Sequence, residues 1–532
     1  LNFKMIFDAI TKDYFFKFFK SNEKEVINYA YLFGIELKED FNYEGINYTL
    51  YKRCQIADIV KATEVNEIFK IPKYIPHNGN QYNITKICDE ACDNLRIKFI
   101  SFAKDSLVTS IGNYAFTRTN LTVISIPASI EKIGSFCFSG LKNIKNIYFE
   151  CSTLTIGERC FEGCTSLASI SFPKTKIVKI ESNCFHGCTN LTKISTMKKS
   201  NIELGESCFS GLENLSTIDF QCESLNIGNE CFNKCTKLSS FAFINAQNIS
   251  IGSKCFKDCI NIHEIDFRCQ KITINSNCFE NCKCLKSFKC ETSDLTIYQQ
   301  IFNGCDKLEN ISITQGQSNG IENEMQNNEL VLSKNLFSNL NSLKTFNIET
   351  NQSIIIKSNP FYRCKSLSKV RFKSMHSVVF KAKSFYQVNI KSFEVTGNKV
   401  EFGESCFSYS NGLQSMKITC DELSIAINCF NSCSELSSIS FENLKCAKID
   451  MYSFYYCNKL IVLELSTSTS LEINRSSFYN LKGLKKISLT TRNLIILNQS
   501  NIYNFNKSNE KDVNKISLNG LHKHCNLHIH LI

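Results

Sequence analysis

The sequence predicts a β-rich solenoid, a chain wound into stacked coils of parallel strands, and three observations predict it. A phenylalanine recurs along most of the 532 residues at intervals of 22 to 24, with one longer step of 35. A glycine precedes it at a fixed distance in many copies, as in Ile227-Gly228-Asn229-Glu230-Cys231-Phe232. Two short stretches of alternating apolar residues flank each copy. Self-similarity at this period is typical of units that bury their apolar faces against their neighbours.

Each repeat is predicted to hold two strands joined by turns. A Leu-x-x-Ile-x-Phe stretch, for example Leu215, Ile218 and Phe220, alternates at period two, which indicates a strand with one buried face. A shorter alternating stretch such as Leu225-Asn226-Ile227 predicts a second strand on the other side of the coil. The Cys-Phe-x-x-Cys segment that follows is interpreted as a turn that drops the phenylalanine into the core. The recurring glycine suits a backbone that turns tightly or takes a positive φ.

The marker phenylalanines predict about 17 repeats of 22–24 residues, a curved rod roughly 80 Å long at the usual strand spacing. Cys92 and Ile502 hold the marker place in degenerate repeats at the two ends. The markers themselves are Phe116, Phe138, Phe161, Phe185, Phe209, Phe232, Phe256, Phe279, Phe302, Phe337, Phe361, Phe385, Phe407, Phe430, Phe454 and Phe478.

The chain is predicted to contain four segments. Residues 1–40 carry apolar residues near helical spacing and predict a helical N-terminal cap, with a membrane-surface anchor as the alternative for its aromatic cluster. Residues 41–90 predict a β-hairpin lead-in, because Asn78-Gly79 lies between alternating stretches, so that the first 90 residues form a small α/β cap. Residues 91–490 are the predicted solenoid, with a polar loop insertion near 314–331. Residues 491–532 are predicted as a degenerate C-terminal cap.

One repeat resembles a known family most clearly. The frame Ile111-Gly112-Asn113-Tyr114-Ala115-Phe116, followed by Leu121, Ile124 and Ile126-Pro127, resembles the BspA-like leucine-rich-repeat family, whose repeats are of the treponemal type. The resemblance covers roughly residues 45–500. It implies a curved leucine-rich-repeat solenoid used for binding, as in surface antigens or adhesins that contact host or matrix proteins, and it implies no catalytic residues. Most repeats depart from the family in having Cys where Ala is usual and in lacking the Ile-Pro step.

The chain has 29 cysteines, most of them in two places of the repeat, directly before the marker phenylalanine or three residues after it. Residues in phase stack in columns, whereas zinc needs four ligands converging on one point, so no metal site is predicted there. The cysteines are interpreted as small buried apolar residues. Stacked thiols roughly 5 Å apart at Cα lie within disulfide range, so in an oxidising compartment they could form many wrong crosslinks. A reducing interior is therefore predicted, that is, a cytoplasmic or cytoskeletal location. The family resemblance implies the cell surface as the alternative.

The candidate partner-binding residues are tyrosines that directly follow the marker position. That place is polar in the early repeats and becomes tyrosine in the later ones. Exposed tyrosine is a typical interface anchor, and a locally altered packing layer is the alternative. The outward-facing strand positions are polar and mixed in sign and offer no comparable anchor. The predicted partner-binding residues are Tyr362, Tyr386, Tyr455, Tyr479 and Tyr503.

Charge and motifs exclude several classes of function. The net charge is +11, spread along the chain without a dense Lys/Arg run, which predicts no nucleic-acid partner. The sequence contains no stretch of about 18 apolar residues, so no transmembrane segment is predicted. The sequence begins at Leu1 and shows no basic, apolar and small-residue start typical of a secretory signal. The histidine-rich tail from His522 to His530 is interpreted as a frayed cap, with chelation of a metal as the alternative.

Taken together, these patterns predict a non-enzymatic solenoid without cofactor whose partners are other proteins. No phosphate-binding loop, dinucleotide glycine motif or His-Glu-x-x-His motif occurs in the sequence. The alternative function is an intracellular structural component of a cytoskeletal or other large assembly.

Overall fold

A computed structural model describes residues 38–65, 67–315, 329–474, 476–497 and 526–531. Within these ranges the chain consists of strands, turns and bends without a helix. The predicted parallel β-solenoid is therefore confirmed. The chain divides into two compact units, 1–167 and 168–532. The helical cap predicted for residues 1–40 lies outside the described residues, except that residues 38–40 belong to a strand and not to a helix.

The described part of the first unit starts with antiparallel strands and continues with parallel coils. Strands β1 (Lys38–Tyr43), β2 (Ile46–Tyr51) and β3 (Ile56–Ala62) pair antiparallel. Strands β5 (Tyr74–His77) and β6 (Asn80–Ile87) form a hairpin across Asn78 and Gly79, both of which have positive φ. From β3–β6 onward the pairings are parallel. The strands are β1 Lys38–Tyr43, β2 Ile46–Tyr51, β3 Ile56–Ala62, β4 Ile68–Ile71, β5 Tyr74–His77, β6 Asn80–Ile87, β7 Phe99–Phe102, β8 Ser110–Ile111, β9 Val123–Ile126, β10 Lys132–Ile133, β11 Asn146–Phe149 and β12 Thr153–Ile156.

The second unit repeats one coil throughout its described length. Its strands are β13 Ser169–Phe172, β14 Ile177–Ile180, β15 Lys193–Thr196, β16 Ser200–Leu204, β17 Thr217–Asp219, β18 Cys222–Ile227, β19 Ser240–Ile251, β20 Glu264–Ile274, β21 Ser287–Ile297, β22 Asn310–Gln315, β23 Glu329–Leu332, β24 Thr345–Thr350, β25 Ser353–Ile356, β26 Lys369–Ser374, β27 Ser377–Phe380, β28 Ser392–Thr396, β29 Lys399–Phe402, β30 Ser415–Thr419, β31 Glu422–Ile425, β32 Ser438–Glu442, β33 Cys446–Ile449, β34 Val462–Ser466, β35 Ser470–Asn474, β36 Lys486–Thr491, β37 Asn493–Leu497 and β38 Asn526–Leu531.

The two strands of each coil lie in two different rows of parallel pairings. β26 pairs with β24 and β28, whereas β27 pairs with β25 and β29, so strands from successive coils stack in register. Buried and exposed residues alternate along them, as the Leu-x-x-Ile-x-Phe pattern predicts. In β19, β20 and β21 the two strands run into one continuous strand of 11 or 12 residues. In the predicted C-terminal cap, β38 pairs in parallel with β36.

The third side of each coil is a turn segment centred on the marker phenylalanine. Within the second unit these rings stack on one another with centroids 4.9 to 6.3 Å apart, and they form the centre of the core. The residues two before and two after each marker take positive φ, for example Lys383 (59°) and Gln387 (57°) around Phe385. Backbone hydrogen bonds join successive coils, such as Phe385 N–H to Cys406 O at 2.8 Å.

The recurring glycine of the Ile-Gly pair does not have the positive φ that is one possible reason for a glycine at this place. Positive φ is found instead at other glycines, such as Gly187 and Gly211. A Cβ added to Gly228 would lie 2.6 Å from the backbone carbon of Gly205, and one added to Gly252 would lie 2.5 Å from that of Gly228. In these coils the glycine is therefore required because the backbones of successive coils approach too closely for a side chain.

The cysteines three residues after each marker are buried hydrogen-bond donors. Their thiols donate to the carbonyl oxygen of the marker phenylalanine of the preceding coil, for example Cys259 to Phe232 at 3.1 Å. The equivalent Ser410 donates to Phe385 O at 2.7 Å, so a hydroxyl can replace the thiol. The cysteines are small and buried as predicted, and they also satisfy a backbone acceptor in the core.

Candidate functional site

The predicted tyrosines that the structure describes lie in the turn segment, directly after the marker phenylalanine. Because the marker phenylalanine points into the core, the residue after it lies at the surface. Tyr362 is 47% exposed and Tyr479 is 43% exposed, whereas Tyr386 and Tyr455 are half-buried. Tyr503 lies outside the described residues. The four described tyrosines thus reach the surface, on the turn side of the second unit.

One group of tyrosines surrounds the coil of Phe454, and we call it the distal cluster. It consists of Tyr452, Tyr455, Tyr456 and Tyr479. Tyr455 stacks on Tyr479 with centroids 5.6 Å apart, and it contacts Tyr456 edge-on at 4.2 Å and Tyr452 at 5.8 Å. A hydrogen bond with Tyr456 raises the pKa of Tyr455. The cluster therefore presents several rings and hydroxyls together.

A second group, the proximal cluster, lies on the coils of Phe361, Phe385 and Phe407. It consists of Tyr362, Tyr386 and Tyr409. Tyr386 meets Tyr409 edge-on with centroids 5.9 Å apart. The Arg363 guanidinium lies 5.1 Å from the Tyr362 ring centroid, and the Lys383 ammonium lies 5.8 Å from that of Tyr386. Cations are thus already placed over these two rings.

The two clusters are separated because the coil of Phe430 has no tyrosine. Asn431 and Ser432 occupy the places that hold tyrosines in the neighbouring coils. Three members of the clusters do not directly follow a marker and were not predicted from the sequence, namely Tyr409, Tyr452 and Tyr456. They lie two residues before or after a marker, at the positive-φ positions of the turn. The run Tyr452-Ser453-Phe454-Tyr455-Tyr456 has tyrosines on both sides of one marker, and this pattern is sufficient to predict Tyr452 and Tyr456.

The outward face of the Leu-x-x-Ile-x-Phe strands offers no comparable anchor. Its charged residues pair from coil to coil, as Lys289 does with Glu264 at 2.6 Å and Lys417 with Glu442 at 2.8 Å. Similar pairs join Lys344 to Glu309 and Lys486 to Glu464. Exposed ion pairs contribute little to stability, but they neutralise this face.

The buried thiols are poor nucleophiles and do not form a metal site. Burial raises the pKa of Cys222 and of Cys269 to about 11, and it raises the pKa of Cys255 and Cys235 further. Only the thiolate reacts or binds metal readily. In the part of the chain that the structure describes, no group of three or more His, Cys, Asp and Glu residues could hold a metal ion.

The sequence profile of the "BspA type Leucine rich repeat region" matches this chain in six copies. The matches cover residues 109–239, 226–334, 330–461 and 378–511, which together make up more than half of the chain. The chain belongs to the BspA-type leucine-rich-repeat family. The resemblance stated from the Ile-Gly-x-x-Ala-Phe frame is thereby confirmed. The profile describes a repeat region.

Solved structures similar to this BspA-type chain are distant in sequence. A leucine-rich repeat protein from Bacteroides ovatus is 20% identical, with 80% of this chain and 95% of that chain covered and a TM-score of 0.35. A leucine rich cell surface protein from Faecalibacterium prausnitzii is 18% identical, with coverage of 87% and 96% and a TM-score of 0.25. The pneumococcal vaccine antigen PcpA is 18% identical, with coverage of 68% and 94% and a TM-score of 0.33.

Two further observations concern the same chain. No curated protein sequence matches it. Among the residues that the structure describes, there is no helix long and apolar enough to cross a membrane.

Proposed function

We propose that this BspA-type protein is a non-enzymatic binding protein whose partners are other proteins, and that the two tyrosine clusters are its contact residues. The observation that carries the proposal is the grouping of exposed tyrosines on successive coils of one side. A tyrosine joins a large apolar ring to a hydroxyl and loses little conformational freedom on binding, so it is a frequent anchor of protein interfaces.

The turn side supports binding better than the strand side. On the strands, opposite charges already neutralise one another between coils, so a partner would have to displace existing pairs. On the turn side the tyrosine rings are exposed, and their stacking on one another fixes their orientation in advance. A contact that is ordered before binding costs less entropy when the complex forms.

Site-specific crosslinking tests the proposed contact residues. A photoreactive phenylalanine analogue at position 479 is expected to crosslink one partner protein in the organism's own cells. The matched control is position 298, because Tyr298 is 49% exposed but belongs to neither cluster. The Tyr456→Ser variant is expected to lower the yield from position 479. Equal yields from positions 479 and 298, or none from 479, would contradict the proposal.

We propose the cell surface as the location, as in the surface antigens and adhesins that the family resemblance implies. This replaces the cytoplasmic location expected from the thiols, which family membership does not support. The thiol argument also loses force for a physical reason. Oxidation needs an accessible thiolate, and cysteines such as Cys255 and Cys278 are fully buried with raised pKa values. Such thiols stay reduced in a folded protein even in an oxidising compartment.

A second candidate function is an intracellular structural component of a cytoskeletal or other large assembly. The observation in its favour is the set of buried free thiols in register, for example Cys208, Cys231, Cys255 and Cys278, which fold without risk of wrong crosslinks in a reducing interior. Labelling with a membrane-impermeant lysine reagent distinguishes the two candidates. We expect the protein to be labelled on intact cells. Labelling only after lysis, with the protein sedimenting with a polymer, would establish the second candidate instead.

A further inference from the structure

One stretch of two neighbouring coils carries a high positive charge. Between residues 357 and 394 there are nine Lys and Arg residues and one acidic residue, Glu394, so this segment carries +8 of the net +11. The next segment, 399–445, has three lysines and six acidic residues, a net charge of −3. The even distribution expected from the absence of a Lys/Arg run is therefore wrong for this part of the chain.

Seven of these basic residues lie in or beside the marker turns of two neighbouring coils, and we call this set the basic band. Lys357 and Lys381 follow the ends of β25 and β27 and lie side by side, because Lys381 N–H donates to Ile356 O at 2.8 Å. Lys369 and Lys391 lie in the same way where the turn ends, since Lys391 N–H donates to Ser368 O at 2.9 Å. All seven are exposed, and they are Lys357, Arg363, Lys365, Lys369, Lys381, Lys383 and Lys391.

The basic band lacks the ion pairs that neutralise the strand faces. The two other basic residues of the segment are paired, Arg371 with Glu394 at 3.6 Å and Lys373 with Glu349. None of the seven band residues makes an ion pair with an acidic residue in the described part of the chain. Like charges held together in this way repel one another and weaken the fold unless an anion compensates them.

We propose that the basic band, together with the proximal tyrosine cluster, binds an acidic segment of a partner polypeptide, rich in Asp and Glu. The inference rests on the proposed protein-binding function and names the chemistry of the partner. The band is two coils wide, about 10 Å at the usual spacing of strands, which suits a single extended chain. Carboxylates would take charge-assisted hydrogen bonds from the ammonium groups and further hydrogen bonds from the tyrosine hydroxyls.

The geometry favours a polypeptide over single-stranded nucleic acid or a membrane. Base stacking needs open aromatic faces, but Arg363 lies over Tyr362, Lys383 lies over Tyr386, and Tyr386 is also packed edge-on against Tyr409. Binding to a membrane surface needs exposed aliphatic or aromatic side chains that insert. Within residues 357–394 the exposed large hydrophobic residues are Tyr362 and Met375, and Met375 lies between β26 and β27, not in the band.

A binding titration with the full chain tests this inference. The probe is a fluorescein-labelled peptide of alternating glutamate and serine, followed by anisotropy at about 0.05 M and about 0.15 M salt. We expect binding that weakens with salt, and no binding of the glutamine–serine peptide. In the variant Lys357→Gln/Lys365→Gln/Lys381→Gln, three lost charge contacts are expected to weaken binding about tenfold.

The matched control changes the charge by the same amount outside the band. In Lys193→Gln/Lys283→Gln/Lys307→Gln, three exposed lysines without a described ion pair are neutralised, and binding is expected to stay within about twofold of the unaltered chain. Equal weakening in both variants, or tighter binding of oligothymidine or of phosphatidylserine vesicles, would overturn the inference. So would the absence of peptide binding. In these cases a crosslink from position 479 would still support the proposed function, because that residue belongs to the distal cluster.

Discussion

At the scale of single residues, glycine serves two different purposes in this chain. The glycine of the Ile-Gly pair, as at Gly228, stands where the backbone of the preceding coil leaves no room for a Cβ. The glycine two residues after a marker, as at Gly211, has a φ of +75° and no atom within 4 Å of an added Cβ. The second place also accepts other residues, such as Lys234 and Asn281, at a positive φ. The first place excludes a side chain only in the coils that carry glycine there, since other coils hold Tyr298, Lys357 or Lys381 at the same place.

Alanine substitutions should separate these two purposes. Gly228→Ala is expected to destabilise its coil by about 3 kcal/mol, because its Cβ would overlap backbone atoms that cannot move aside easily. Gly211→Ala is expected to cost about 1 kcal/mol, because only the left-handed conformation is penalised. Chemical denaturation, with hydrogen exchange around each coil, measures both values. Equal losses in the two variants would show that the close approach of the coils is not limiting.

At the scale of the element, one coil is held to the next by features that the period of the sequence reveals only in part. The stacked phenylalanines and the two strands follow directly from the spacing of apolar residues. The hydrogen bond that the Cys433 thiol donates to Phe407 O, at 3.1 Å, cannot be predicted from this spacing. It depends on which carbonyl oxygen the turn leaves accessible to the thiol. The positive φ values around each marker are equally hidden, because Lys, Asn, Tyr and Ser all occur there.

The buried thiols predict a dependence of stability on alkaline pH. Burial raises the pKa of Cys222 and Cys269 from 9.0 to about 11, so the folded state favours the protonated thiol. This stabilisation is complete below pH 9 and is lost as the pH rises through about 11, because the unfolded chain ionises first. The free energy of unfolding should therefore fall across this window. In Cys222→Ala/Cys269→Ala the fall should be shallower, and an identical slope would assign it to other groups.

At the scale of the whole chain, the sequence predicts the architecture better than the surface. Residues at the same position of successive repeats stack in columns, and this predicts that Tyr362 and Tyr479 lie at the surface. Both side chains are exposed in the structure. The tyrosine clusters and the basic band combine residues from different columns, and their proximity depends on the path of the turn. Basic residues such as Lys357 and Lys381 are 24 positions apart in sequence and adjacent in space. A search for consecutive Lys and Arg residues cannot find them.

The stacking of coil on coil in the second unit also limits how the length of such a chain can change during evolution. Each marker ring, such as Phe407, stacks on the marker of the coil before it and of the coil after it, and each turn donates hydrogen bonds to its immediate neighbour. Duplicating or losing one whole repeat therefore reproduces contacts that already exist. Deleting a single residue from a strand would instead turn its buried side chains outward. Viable descendants should differ in length by whole repeats, or by insertions between strands, and the step of 35 residues from Phe302 to Phe337 is such a difference in the sequence.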